Sequence, residues 1–193
     1  MATVEIVEPT GSWAAEYARI EGDLQEAVRG RTCEIHHIGS TSVPGLPSKD
    51  VIDVQITVPD ELGLEDVASL LEHAGWRRQG SIAGDHHVPG LPIDAHEWRK
   101  VLFTEPNGAR RTHVHVRVEG RANQRYALLF RDFLRTHPEE AAAYAAAKRA
   151  LAALAPDSGT YASAKDPVCD LIYLAAERWA SDVGWPTAAT GGA

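Results

Sequence analysis

The segment VIDVQITV, residues 51–58, constrains the fold more than any other. Its β-branched residues read as a strand, and side chains alternate across a strand. Ile52, Val54, Ile56 and Val58 therefore share one face. Val51, Asp53, Gln55 and Thr57 share the other. The first set has the pattern of a core face covered by helices. RTHVHVRV, residues 111–118, repeats the division, with Thr112, Val114, Val116 and Val118 on one side and Arg111, His113, His115 and Arg117 on the other. If both strands sit in one sheet with apolar faces together, Asp53, Gln55, His113, His115 and Arg117 cluster opposite the core. Antiparallel sheets often turn one polar face to water, so the second strand has a plain reading as well. Asp53 is harder to dismiss, because a carboxylate among Val and Ile is costly unless hydrogen-bonded or bound to a cation.

The rest of the chain frames these strands. Ser12 is placed to cap a helix through about Val28, with Trp13, Tyr17, Ile20, Leu24 and Val28 on one face. Residues 33–38 read as a short strand, 60–74 as a helix with Leu64, Val67, Leu70 and Leu71 buried, and 76–83 as a further strand. The Pro- and Gly-rich stretch 84–96 is a loop. Asp85, His86, His87, Asp94 and His96 there lack a fixed spacing on one element, so they read as loop polar groups rather than metal ligands. Asn107-Gly108 is a hairpin signal that pairs 98–104 with 111–118 antiparallel. From Asn123 onward the pattern is helical. One helix carries Tyr126, Leu129, Phe130, Phe133 and Leu134. A second opens at Pro138 and runs to about Leu154. A last one opens at Asp166-Pro167 and buries Val168, Leu171, Ile172, Ala175 and Trp179.

The order of helix, mixed sheet and helical C-terminal third predicts an α+β domain over residues 1–185, with helices on one sheet face and a mobile tail over 186–193. A length of 193 residues suits one core and not two ordinary domains. The formal charge of −8 argues against an electrostatic grip on long nucleic acid. A phosphorylated small ligand needs only a local basic pocket. Cys33 and Cys169 form no framework or metal spacing, and neither a signal peptide nor a membrane-length apolar run is present, so a cytoplasmic location with reduced thiols is expected.

Upstream of Asp53 stands Gly39-Ser40, whose backbone N–H groups suit a phosphate. Gly39-Ser40 followed by Asp53-x-Gln55 resembles the nucleotidyltransferase-fold signature. The longer stretch HIGSTSVPGLPSKDVIDVQI, residues 37–56, is similar to the signature of the GrpB family, a nucleotidyltransferase-like group of mostly unassigned function. The similarity continues through His115-Val116-Arg117, residues 129–135, His137-Pro138-Glu139, Tyr144 with Lys148, and Tyr161 with Lys165, so it covers nearly the whole chain. It implies a nucleotidyltransferase-like mixed sheet and a cleft for a nucleotide or other phosphorylated small molecule. Nucleotidyl transfer to a small acceptor would be the activity. It implies a Mg2+ or Mn2+ ion on Asp53 and Gln55, phosphate contacts from Gly39, Ser40, Thr41, Ser42, Lys49 and Arg117, and Asp53 with His115 as the catalytic pair, His115 serving as base.

Gln55 departs from the general signature, which has a second carboxylate there, and histidine is a better ligand for Zn2+ or Mn2+ than for Mg2+. A non-catalytic ligand-binding module and an enzyme using the cleft for unrelated acid–base chemistry with His113, His115 and Asp53 therefore stand as rivals. Some members of the resembled family are fused to dephospho-CoA kinase, which implies a nucleotide- or CoA-linked role. Plainer readings accompany several residues. Thr41 and Ser42 can cap the turn, Lys49 can be an exposed lysine, and Lys165 can neighbour a helix cap or enter the cleft. Only one of Arg99 and Lys100, which point to opposite faces, can join the polar cluster.

Overall fold

In a computed structural model that describes residues 4–186, the order is α1 (Ser12–Ala27), β1 (Glu34–Ile38), β2 (Ile52–Val58), α2 (Glu61–His73), β3 (Arg77–Arg78), β4 (Val101–Thr104), β5 (Thr112–Val118), α3 (Ala122–Thr136), α4 (Pro138–Leu154) and α5 (Ser158–Val183). One mixed sheet has the order β1-β2-β5-β4-β3. Only β2 and β5 run parallel, and their register opposes Asp53 to His113 and Gln55 to His115. β4 and β5 form the antiparallel hairpin that Asn107-Gly108 predicts. Residues 187–193, most of the expected tail, lie outside the described residues.

Period-two alternation decides which sheet face is dry. Ile52, Val54, Ile56 and Val58 are wholly buried, as are Val114 and Val116. They pack under α1 through Trp13, Ile20 and Leu24 and under α2 through Leu64, Val67, Ala68 and Leu71. α2 starts where the Asp60 carboxylate accepts from the Gly63 N–H. A second core forms inside the helical third from Leu129, Phe133, Leu134, Tyr144, Cys169, Tyr173 and Ala176, with Val43, Leu46 and Trp98. Polar bonds tie that third to the sheet. Arg131 donates to the His37 carbonyl at 3.0 Å, and Arg135 donates to the Ser42 carbonyl.

Three local expectations are corrected. The strand expected over 76–83 pairs only through Arg77 and Arg78. A turn from Gln79 to Ile82, spanning Gly80, takes the chain off the ladder. The last helix does not start at Asp166-Pro167. It starts after Asp157, whose carboxylate accepts from the Gly159 and Thr160 N–H groups, and it carries Pro167 in its interior. Its buried residues include Cys169, Tyr173, Ala176 and Ala180, with the expected Val168, Ile172, Ala175 and Trp179 partly buried against the same core; of the expected set Leu171 is exposed. At α1, Gly11 occupies the cap position and Ser12 makes no side-chain cap bond.

Candidate functional site

β1 must leave the sheet sharply to bring the Gly-Ser turn against β2. Gly39 does this with φ 73°, a conformation open to glycine. A Cβ there would stand 2.5 Å from Asp53 Oδ2, so the missing side chain is what lets the turn touch the carboxylate. Ser40 opens a short 3-10 turn, Ser40–Ser42. Beyond it lies a cavity of about 380 Å³ between the polar sheet face and the helical third.

One wall is the sheet. Asp53 Oδ1 is 3.3 Å from His113 Nδ1 and 3.8 Å from His115 Nε2, and the three side chains offer donor atoms to one point. Burial alone would raise the Asp53 pKa, but the adjacent imidazoles of His113 and His115 outweigh it and hold the carboxyl well below the usual range. Burial, with the charges of Lys100 and Arg117, pushes His115 down to about 3, which leaves a neutral imidazole at neutral pH.

An ionic group with two buried cations borders this wall. Asp85 accepts from Lys100 Nζ and from Arg117 Nε at 3.0 Å and Nη2 at 3.1 Å. Burial opposes the Asp85 charge, yet Arg117 and Lys100 hold its pKa below the ordinary range. Arg117 Nη1 also donates to Gln55 Oε1 at 2.6 Å. The Gln55 amide nitrogen donates to Thr57 Oγ1 and to the Gln124 carbonyl, and the side chain is wholly buried.

The opposite wall is cationic and aromatic. Lys148 of α4 donates to Ser40 Oγ at 2.9 Å and to the Pro47 carbonyl, under the Tyr144 ring. Lys165 of α5 reaches Cys169 Sγ at 3.3 Å. Lys49 stands 5.3 Å from the Tyr161 ring centroid. Among the described residues no carboxylate pairs with any of these three ammonium groups. Burial, helped by nearby Lys165, pushes Lys148 down to about 7. Burial also lowers Lys49. Tyr126 and Phe130 complete an aromatic side, Tyr126 being stacked on Tyr173 with centroids 4.4 Å apart.

The structure thus brings Gly39, Ser40, Lys49, Asp53, His115 and Arg117 to one cavity, and leaves three expected residues out. Thr41 faces His37 Nε2 at 3.0 Å, and Ser42 Oγ donates to the Gly39 carbonyl at 2.6 Å. Both hydroxyls hold the turn together, as their plainer reading has it. Gln55 is locked to Arg117 and does not share a point with Asp53. Arg117 reaches the cavity, but its guanidinium is engaged by Asp85 and Gln55. Of the Arg99–Lys100 pair, Lys100 joins the cavity, while Arg99 pairs with Glu61 and Glu65 outside it. Asp85, read as loop polarity, is a half-buried partner of two buried cations. His86, also read so, bonds Asp170 at 2.7 Å. His113 and Lys148 were visible in the sequence, the first by alternation and the second only through the family resemblance.

The sequence matches the family described as GrpB protein over residues 3–174. The chain belongs to the GrpB family. The crystal structure of the conserved protein GrpB from Enterococcus faecalis is similar, with a TM-score of 0.70 at 27% identity, covering 91% of this chain and 99% of that one. Among curated relatives of this GrpB chain, a dephospho-CoA kinase from Mycolicibacterium paratuberculosis is 34% identical over 95% of the chain and 48% of the relative. The chain therefore spans about half the length of that relative. UPF0157 protein PA4798 of Pseudomonas aeruginosa is also 34% identical, over 91% of the chain and 69% of the relative. No helix among the described residues is long and apolar enough to cross a membrane.

Proposed function

We propose that the cavity binds a nucleotide or another small molecule carrying more than one phosphate. The observation behind this is the set of three unpaired ammonium groups, Lys49, Lys148 and Lys165, facing the Gly39-Ser40 turn inside a protein of net charge −8. A buried ammonium without a carboxylate partner is costly unless an anion compensates it. Phosphate oxygens supply that charge and accept from lysine and from Ser40. The aromatic side formed by Tyr126 and Phe130 suits a stacked base, and a cavity of about 380 Å³ is of small-molecule size.

The acceptor of a nucleotidyl transfer would have to approach Asp53. His115 is poorly suited to be the base there, because burial and the charges of Lys100 and Arg117 make its ring resist protonation. The Gln55–Arg117 bond favours a second reading, a ligand-binding module without turnover. It fills the place of a second acidic ligand, and two-ion transfer needs acidic ligands for both ions. Calorimetric titration with ATP, dephospho-CoA and inorganic tripolyphosphate tests the binding proposal. Affinity for at least one should fall at least about tenfold in Lys148→Met, with a weaker dependence on salt. Equal affinity in wild type and in Lys49→Met, Lys148→Met and Lys165→Met variants would sink it. Metal-dependent release of pyrophosphate from a nucleoside triphosphate decides between transferase and module.

A further inference from the structure

The donor set on the sheet face differs in chemistry from the Mg2+ site that the resemblance implies. Magnesium wants an octahedron of oxygens and is held by carboxylates, phosphates and water. Here β2 and β5 offer one carboxylate and two imidazoles. The other acidic position of the signature is Gln55, and its one ligand-grade atom, Oε1, already accepts from Arg117. Imidazole nitrogen favours first-row transition metals over magnesium.

We propose that Asp53, His113 and His115 form a single-ion site for a borderline first-row dication such as Zn2+ or Fe2+. Its open positions face the cavity, where a phosphate oxygen of the ligand completes the shell. Only that last ligand rests on the phosphate-binding reading.

Three observations support the site. The first is spacing. Metal–ligand bonds of about 2.0–2.2 Å put tetrahedral donors roughly 3.3–3.6 Å apart. The Asp53–His113 separation of 3.3 Å falls in that range, the Asp53–His115 separation of 3.8 Å is just beyond it, and all three donors lie within 4.8 Å of one another, so a small ring adjustment brings them to bonding distance. The second is rigidity. Asp53 and His113 are direct partners across the parallel ladder, and His115 is the next residue on the same face, so backbone pairing fixes the set. The third is the Arg117 guanidinium, which holds Gln55 where a second cation would need an anionic ligand. Its charge leaves room for one ion and disfavours two. Capture through His115 Nε2 moves the ring proton to Nδ1 and gives up the contact with Arg117 Nη2 at 3.4 Å. That is the longest of the guanidinium's contacts, the others being 2.6, 3.0 and 3.1 Å.

The test uses the full chain stripped with a chelator and dialysed against Zn2+, Co2+ or Mg2+. One Zn2+ or Co2+ should bind per chain. Cobalt should show visible d–d absorption that Zn2+ abolishes and excess Mg2+ does not. His113→Gln, His115→Gln and Asp53→Asn should each weaken Zn2+ binding at least about tenfold. Zn2+ should raise the melting temperature of the wild type and not of the variants, a comparison made within each protein. If a glutamine variant fails to fold, the cobalt spectrum and stoichiometry of the wild type carry the test alone. Mg2+ binding as tight as Zn2+, or Zn2+ affinity unchanged in folded His113→Gln and His115→Gln proteins, would overturn the proposal. Tripolyphosphate binding to metal-free protein, with no transition-metal site found, would overturn this proposal and leave the phosphate reading standing. Zn2+ binding intact while no phosphorylated ligand binds would do the reverse.

Discussion

Lys148 is a buried cavity lysine with no carboxylate partner among the described residues, and its pH behaviour follows. Its pKa falls from 10.5 to about 7 on folding, chiefly through burial. The unfolded chain therefore binds more protons than the folded chain between pH 7 and 10.5, and this lysine makes stability rise with pH across that window. Below pH 7 both states are protonated and the burial cost is full. Lys148→Met should be more stable than wild type at pH 6, and the gap should shrink by pH 9.5, as measured by urea unfolding at each pH. Binding of a polyphosphate restores the proton. Titrations in buffers of different ionisation heat should therefore show proton uptake at pH 8 that the variant lacks. Gly39 gives a second test at this scale. Alanine there meets both a positive φ and the Asp53 carboxylate at 2.5 Å, so Gly39→Ala should cost about 1–3 kcal/mol in a thermal or chemical melt. It should also disturb any ligand of Asp53.

Among the elements, α5 breaks a helix rule. Pro167 in its interior removes a backbone donor and crowds the preceding turn. Pro167→Ala should stabilise the protein by about 1–3 kcal/mol, read from the shift in the urea midpoint. This element also shows where local sequence signals stop. Asp166-Pro167 reads as a helix start, yet the helix begins at Ser158, where the Asp157 carboxylate accepts from the Gly159 and Thr160 N–H groups and Tyr161 is buried at the cavity. β2 and β5 were legible because alternation is a property of neighbouring residues, and so were the hairpin, α3 and α4. The Asp85–Arg117 and Ser40–Lys148 contacts were not, because they join residues far apart in the chain whose partners no local pattern names. Thr41 and Ser42 misled for a related reason. A hydroxyl suits a phosphate and a turn carbonyl equally well, and burial alone decides between them.

At the scale of the whole molecule, two apolar cores meet across a polar cavity. Asp53 belongs to the sheet that covers the first core, and Lys148 and Lys165 to helices of the second. A ligand that touches both walls should therefore stabilise their union. At a concentration of one hundred times Kd it should add about 2.7 kcal/mol to global stability. Asp53→Asn and Lys165→Met should each reduce that increment, although they sit on opposite walls. A melt with and without tripolyphosphate and Zn2+ checks this. An increment lost only in the lysine variant would place the ligand entirely on the helical wall.

The parallel pairing of Asp53 with His113 also bears on how fast the site can work. Its three donors are spaced by the same hydrogen bonds that make the sheet, so they are assembled when the sheet is. No backbone segment of that wall has to fold before an incoming ion is met; only the imidazole rings adjust. Capture should be a one-step encounter, linear in ion concentration and free of a slow conformational phase in stopped-flow traces.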